Sequence, residues 1–301
     1  MRRRLDGLVA ARAAMRDLWR SGRSIGSVHT LGALHDGHAR VIALAAREND
    51  EVVVSVYPNR AQLAPGTRYR HDVDRDVALA FDHGATNVIT TNDAEAYPPE
   101  FGTFLDQGDR TQRLDGTVVP FLFRGMITMC IRWMNFVRPT RAYWGLKDIG
   151  QTLLVRRALA DLWIDTEVRE VPCVRFRSGV PISSRLLDLD RESLAEVASV
   201  YRALDAGRAA IAAGERSSAR VIAAMTDALA LRKFRVLYVK LAEPAQFHEP
   251  EVVPDGDVVL HIVVTNGTIN HFDGFLLRSD DDRRSGPEWI WLADEWPGGG
   301  R

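Results

Sequence analysis

Two histidines stand three residues apart in His35-Asp36-Gly37-His38, between a short apolar run at 24–28 and a helix-spaced run at 37–49. That placement suits phosphate chemistry. The first turn of a helix offers unpaired N–H groups and the positive end of its dipole. Gly37 allows close approach of a ligand to the backbone. Two imidazoles can donate hydrogen bonds to phosphoryl oxygens as charge moves in a transition state. The plain alternative is a helix cap beside a surface histidine, and the motif alone does not separate the two. Zinc needs three or four ligands, and His29, His71 and His83 are scattered with no clear third partner, so no metal ligand is assigned.

Three further stretches carry similar chemistry. Tyr57–Leu63 places the amides of Asn59 and Gln62 just after an apolar strand-like run. Residues 143–151 contain Lys147, Asp148 and Gln151. Residues 181–185 bring Ser183, Ser184 and Arg185, two hydroxyls and a cation able to bind phosphate oxygens. Singly, each has a loop explanation: an amide in a turn, an aspartate capping a helix, serines in a linker. Lys147 stands out by composition. Of 39 basic residues only three are lysine, and Lys147 is the only one before residue 230. Arginine and lysine are not interchangeable where a compact charge meets phosphate.

The elements that must position these residues alternate. Strand-like runs at 24–28, 51–57, 87–90, 141–145 and 166–171 are separated by helix-spaced runs at 37–49, 72–84, 123–137 and 148–162. This alternation predicts a doubly wound parallel sheet, in which ligands bind at the carboxyl ends of the strands. The N-terminal stretch from Met1 reads as an amphipathic helix. After Pro172 the pattern changes to helices at 190–213 and 217–231, then strands at 235–241 and 257–265 and a turn at Asn266-Gly267. The expected organisation is an α/β domain over 1–174, a small α+β domain over 175–279 and a tail over 280–301.

Composition narrows the classes. Net charge is −1 over 301 residues, from 39 basic and 40 acidic side chains. That balance argues against nucleic acid or an anionic membrane as partner. No run approaches the ~18 apolar residues of a membrane span. Cys130 and Cys173 provide no disulfide framework and fit a reducing cytoplasm.

Taken together, the motifs resemble the pantothenate synthetase (pantoate–beta-alanine ligase) family of the HxGH nucleotidyl transferase superfamily. The resemblance rests on Thr30-Leu31-Gly32-Ala33-Leu34-His35-Asp36-Gly37-His38, Pro58-Asn59-Arg60-Ala61-Gln62, Gly145-Leu146-Lys147-Asp148-Ile149-Gly150-Gln151 and Ser183-Ser184-Arg185-Leu186. It implies a Rossmann-like sheet with a C-terminal lid domain, a homodimer, and a two-step reaction using ATP and Mg2+. A carboxylate attacks the α-phosphate to give an acyl adenylate, and an amine then gives an amide and AMP. By resemblance, His35, His38 and Lys147 stabilise the phosphates, and Ser183, Ser184 and Arg185 close over them. Leu31, Gly32, Gly37, Trp144, Gly145, Asp148 and Val174 hold the nucleotide. Asn59, Gln62, Tyr69, Val119, Leu122 and Gln151 face the carboxylic acid and the amine.

The departures cluster. The family's Arg-Pro-x-His-Phe is here Val119-Pro120-Phe121-Leu122-Phe123, and its upstream Glu is Asp115. Its Tyr-Pro-Arg is Tyr69-Arg70-His71, and Leu31 stands in place of Met. The nucleotide-facing residues are nearly intact, whereas the acid- and amine-facing segment has lost a cation. This predicts a ligase whose acid, amine or both differ from pantoate and beta-alanine. The alternatives are the family reaction itself, compensated by Arg60, Arg70 or His71, a nucleotidyltransferase that leaves the nucleotide on its product, and a non-catalytic homologue.

Overall fold

The computed structural model describes residues 2–63, 69, 71–186, 189–279 and 289–292. The chain forms two compact units. The first comprises 1–111, 119–145 and 154–171, and the second 112–118, 146–153 and 172–301.

The first unit is built on a parallel sheet of β1 (Arg3–Asp6), β2 (Ile25–Thr30), β3 (Glu51–Val56), β4 (Asn87–Thr90), β5 (Arg141–Gly145) and β6 (Glu167–Val171), in the order β1-β4-β3-β2-β5-β6. Helices α1 (Leu8–Ser21), α2 (Asp36–Glu48), α3 (Val73–Asp82), the single turn α4 (Asp93–Ala96) and α6 (Leu122–Val137) connect them, with α5 (Asp115–Val118) belonging to the second unit. Helix α7 (Ile149–Asp161) has residues in both units. All six residues of β3 are buried, whereas the edge strand β1 alternates. A strand covered on both faces reads as a continuous apolar run, and Glu51-Val-Val-Val-Ser-Val is one. The Rossmann-like sheet is thus the expected one.

One expectation fails at the N-terminus, where Arg3–Asp6 is a strand paired with β4 and not helix. Gly7 adopts φ +89, and the Glu95 carboxylate accepts the Leu8 N–H at 3.2 Å, so helix α1 starts only at Leu8. The basic residues 2–4 precede the helical spacing and do not share in it.

Strand order reverses about β2, the topological switch point of such sheets. β2 pairs with β3 along its whole length, Ile25 to Thr30. It pairs with β5 only at Gly26 and Ser27. The sheet therefore opens between β2 and β5 toward their carboxyl ends.

The second unit contains an antiparallel sheet of β8 (Arg235–Ala242), β9 (Val258–Thr265) and β10 (Asn270–Leu277) in the order β10-β9-β8, with α8 (Arg191–Ala212) and α9 (Ser218–Asp227). All eight residues of β9 are buried. The short strand β7 (Cys173–Arg175) pairs in parallel with β11 (Trp289–Trp291). Arg70, and Trp296 with the glycines beyond it, lie outside the described residues.

Candidate active site

Helix α2 begins at the histidine motif, and the two histidines cap it reciprocally. His35 Nδ1 accepts the Gly37 N–H at 3.2 Å. His38 Nδ1 accepts the His35 backbone N–H at 3.3 Å. The spacing of three is that of a capping box, here made of two imidazoles whose centroids lie 4.1 Å apart. Because each Nδ1 accepts, the proton of each neutral ring sits on Nε2. Capping and phosphate binding are therefore compatible: one nitrogen holds the turn and the other carries a donor. Both rings are half-buried.

The loop before them is held by a residue that motif reading passed over. Asp76, buried on α3, accepts the Ala33 N–H at 2.8 Å and the Leu34 N–H at 2.7 Å. Gly32 has φ +95 and Ala33 φ +53, a left-handed pair that needs such support. A Cβ on Gly32 would stand 2.6 Å from His71 Nδ1 and 2.9 Å from the Asp76 carboxylate. Tyr69 donates its hydroxyl hydrogen to the Gly32 carbonyl at 3.1 Å, and His71 Nδ1 lies 3.4 Å from Asp76. The sequence did carry a signal for Asp76, because it occupies the core-facing stripe of α3 with Val77 and Ala80. A carboxylate there needs partners.

The amides after β3 divide their labour. The Asn59 NH2 donates to Gln62 Oε1 at 2.8 Å and to the Gly125 carbonyl at 3.1 Å. Its oxygen accepts from the Tyr97 hydroxyl at 2.6 Å and from the Ala61 N–H at 3.2 Å. Asn59 is buried and its bonding capacity is filled, so it braces Gln62 through the Gln62 amide oxygen. Gly125 makes this possible: a Cβ there would meet the Ala61 carbonyl oxygen at 2.0 Å. In the same unit, the indole N–H of Trp144 is buried without a hydrogen-bond partner. Next to it, a Cβ on Gly145 would meet nothing within 4 Å. Successive strand residues face opposite sides of the sheet, so the space at Gly145 lies on the other face from the Trp144 ring. Leu31 and Gly37 are half-buried in the motif loop. Leu122 is buried at the first turn of α6, with its N–H donated to the Val119 carbonyl at 3.0 Å.

The second unit carries the other candidates. Lys147 Nζ lies 3.2 Å from Asp148 Oδ1. Gln151 is half-buried on the first turn of α7. Ser183 is buried, and its hydroxyl accepts the Arg185 N–H at 3.3 Å, which shapes the 3-10 turn Ser184–Leu186. Arg185 lies over the Phe272 ring at 5.9 Å. Val174 is buried in the core of this unit, and its carbonyl accepts the Ile182 N–H at 3.0 Å. His271 is buried, and its Nε2 has no partner. Burial lowers its pKa to about 4, with Asp273 opposing that shift and Lys147, Arg175 and Arg185 adding to it.

A polar cluster in this unit was not foreseen. Tyr238 OH lies 3.2 Å from Asp115 Oδ1 and 3.0 Å from His261 Nδ1, and His261 Nε2 lies 3.4 Å from Asp115. Burial raises the Asp115 carboxyl above its usual range, against the opposing pull of His261. Residues 115, 238 and 261 are too far apart in sequence for spacing to join them.

Comparison with known proteins agrees with this geometry. A family model described as "Pantoate-beta-alanine ligase" matches residues 5–275. The chain is 35% identical over 260 residues to the pantothenate synthetase of Chloroflexus aurantiacus, covering 85% of this chain and 92% of that protein. It is 34% identical over 281 residues to that of Moorella thermoacetica, covering 92% and 99%. The crystal structure of the Thermus thermophilus enzyme superposes with a TM-score of 0.84 at 34% identity, covering 91% of this chain and 98% of that one. With its motif histidines at the helix start, its parallel sheet and full-length likeness to these enzymes, the chain belongs to the pantoate–beta-alanine ligase family of ATP-dependent ligases.

Proposed function

We propose that this chain activates a carboxylic acid with ATP-Mg and transfers the acyl group to an amine. The observation that carries the reading is the reciprocal histidine cap, which fixes an Nε2–H donor on each ring at the positive end of α2. In the first step a carboxylate oxygen attacks the α-phosphorus, the bond to the β-phosphate oxygen breaks, and pyrophosphate leaves. His35, His38 and Lys147 stabilise the charge on the phosphates, and Ser183, Ser184 and Arg185 supply further donors. Trp144, Gly145 and Asp148 hold the adenosine, with Leu31, Gly32 and the backbone of Val174. In the second step the amine nitrogen attacks the acyl carbon, the carbon–oxygen bond to AMP breaks, and the amine loses its proton. This is catalysis by positioning and electrostatics. Gln62, braced by Asn59, and Gln151 bind the acid.

Mg2+ would enter on the triphosphate, whose oxygens suit a hard cation. The working unit is a homodimer. Two free, buried thiols fit a reducing, cytoplasmic setting. Among the described residues no helix is long and apolar enough to cross a membrane.

The co-substrate follows from Val119 and Leu122. Neither supplies a cation, and Leu122 is buried. An amine carrying its own carboxylate forfeits there a charge-assisted contact of about 1.5–3 kcal/mol. We infer that an uncharged or more apolar amine is preferred over beta-alanine. Mass spectrometry of reactions with ATP, Mg2+, pantoate and a panel of amines tests this. The expected result is AMP with an amide of an uncharged amine, formed faster than pantothenate. Strong turnover with beta-alanine overturns the amine reading and leaves the ligase reading standing. A stable adenylylated product overturns both.

A further inference from the structure

We infer that the first unit carries a second anion site, formed by α1 and α6, for a compact polyanion bearing two or more phosphate or carboxylate groups. A cavity of about 400 Å³ lies there, lined by Arg12, Arg16 and Trp19 of α1 and by Arg132, Phe136 and Arg138 at the end of α6. None of its lining residues is acidic, and none is a candidate active-site residue. Among the described residues, none of the four arginines has a carboxylate partner, although the chain's net charge is −1.

Three of the four guanidiniums are laid on aromatic rings. Arg138 stands 4.3 Å over Trp19, whose indole N–H donates to the Val137 carbonyl at 2.7 Å and so fixes the ring. Arg12 stands 5.6 Å from Phe136. Arg132 stands 4.6 Å over Phe101 and donates to the Ala96 carbonyl. Stacking holds the plane of a guanidinium while leaving its N–H edges available. Arginine so held loses less entropy on binding an oxyanion. Arg12 and Arg16 lie one turn apart on α1, where like charges repel. A bound polyanion removes that repulsion. A second copy of this face does the opposite, since a twofold contact would set the same cations against each other.

The test is calorimetric titration of the full chain at low salt with inorganic pyrophosphate and, separately, with citrate. The wild type is compared with the double variant Arg12→Gln/Arg16→Gln, with melting temperature recorded for both. Pyrophosphate also leaves the proposed reaction, so citrate and the double variant separate the two sites. We expect at least one anion to bind the wild type and to bind the double variant about tenfold or more weakly, with melting temperature and AMP-forming rate unchanged. Loss of pyrophosphate binding alone identifies a phosphorylated ligand, and loss of citrate binding alone a polycarboxylate. Equal binding to both proteins, or no binding of either anion to the wild type, overturns the inference. A change of oligomeric state in the double variant with anion binding unchanged also overturns it, in favour of self-association.

Discussion

The α2 turn in the first unit and the Arg175–Asp273 pair in the second solve opposite problems. At the turn, two half-buried imidazoles are held by backbone N–H groups within three residues, and a buried carboxylate on α3 holds the loop behind them. In the second unit, Arg175 donates to both oxygens of Asp273 at 2.8 and 2.7 Å across 98 residues of sequence, with both side chains fully buried. Arg175 also donates to the Gly179 carbonyl at 2.8 Å and lies 4.4 Å over Trp289. The turn sets two imidazoles at the positive end of a helix. The pair directs its bonds into the protein, although the Arg175 Nε is buried without a partner. The difference is one between a group poised for chemistry and a group that fixes a fold, and stability and turnover should respond differently to each.

The largest stability effect is expected at the buried pair. Asp273→Ala strands a guanidinium in the core, and breaking such a pair costs about 3–5 kcal/mol. Urea denaturation should show this loss. A loss below about 1 kcal/mol would mean that water reaches Arg175.

The turn should show the reverse balance. Removing a cap costs about 1 kcal/mol, so His35→Ala should stay folded at moderate urea while AMP formation falls by about 100-fold or more. If turnover and stability fall together, the histidine is a cap and nothing else. Asp76→Asn lies between the two. It weakens two charge-assisted bonds to the loop, each of about 1.5–3 kcal/mol, and should lower kcat about tenfold or more by letting the motif drift. Normal kcat in a less stable protein would make Asp76 purely structural.

A further expected effect is in pH. Burial lowers the His271 pKa to about 4 in the folded chain, against about 6.5 unfolded. The unfolded chain therefore takes up the proton first, so stability falls as pH drops from about 6.5 to about 4. For Asp273, burial raises the carboxyl's pKa, but the Arg175 charge and hydrogen bonds more than offset this and hold it below its usual range. Its contribution is present above the unfolded carboxylate pKa and fades at lower pH. His271→Phe should flatten the upper part of this decline, read by denaturation at about pH 7.5 and about pH 5. An unchanged slope would remove His271 from the account.

The same contrast explains what the sequence made legible. Strand and helix positions followed from periodicity: 87–90 and 141–145 are strands with those bounds. The histidine turn was visible because the cap bonds joining His35, Gly37 and His38 span only three residues. Gln62 was visible, but the filled valences of Asn59 were not, since Gly125 and Tyr97 come from distant segments. Asp115, Tyr238 and His261 meet only through folding. Strand β1 was missed because four alternating residues at an edge sit against a strong helical signal that begins just after them.

The measurement that bears most directly on the central claim is acid-dependent exchange of labelled pyrophosphate into ATP, without amine, in wild type and His35→Ala. The account predicts exchange in the wild type only when a carboxylic acid such as pantoate is present, and its loss in the variant at unchanged fold. Exchange that survives His35→Ala, or none with any acid in a panel, would contradict it.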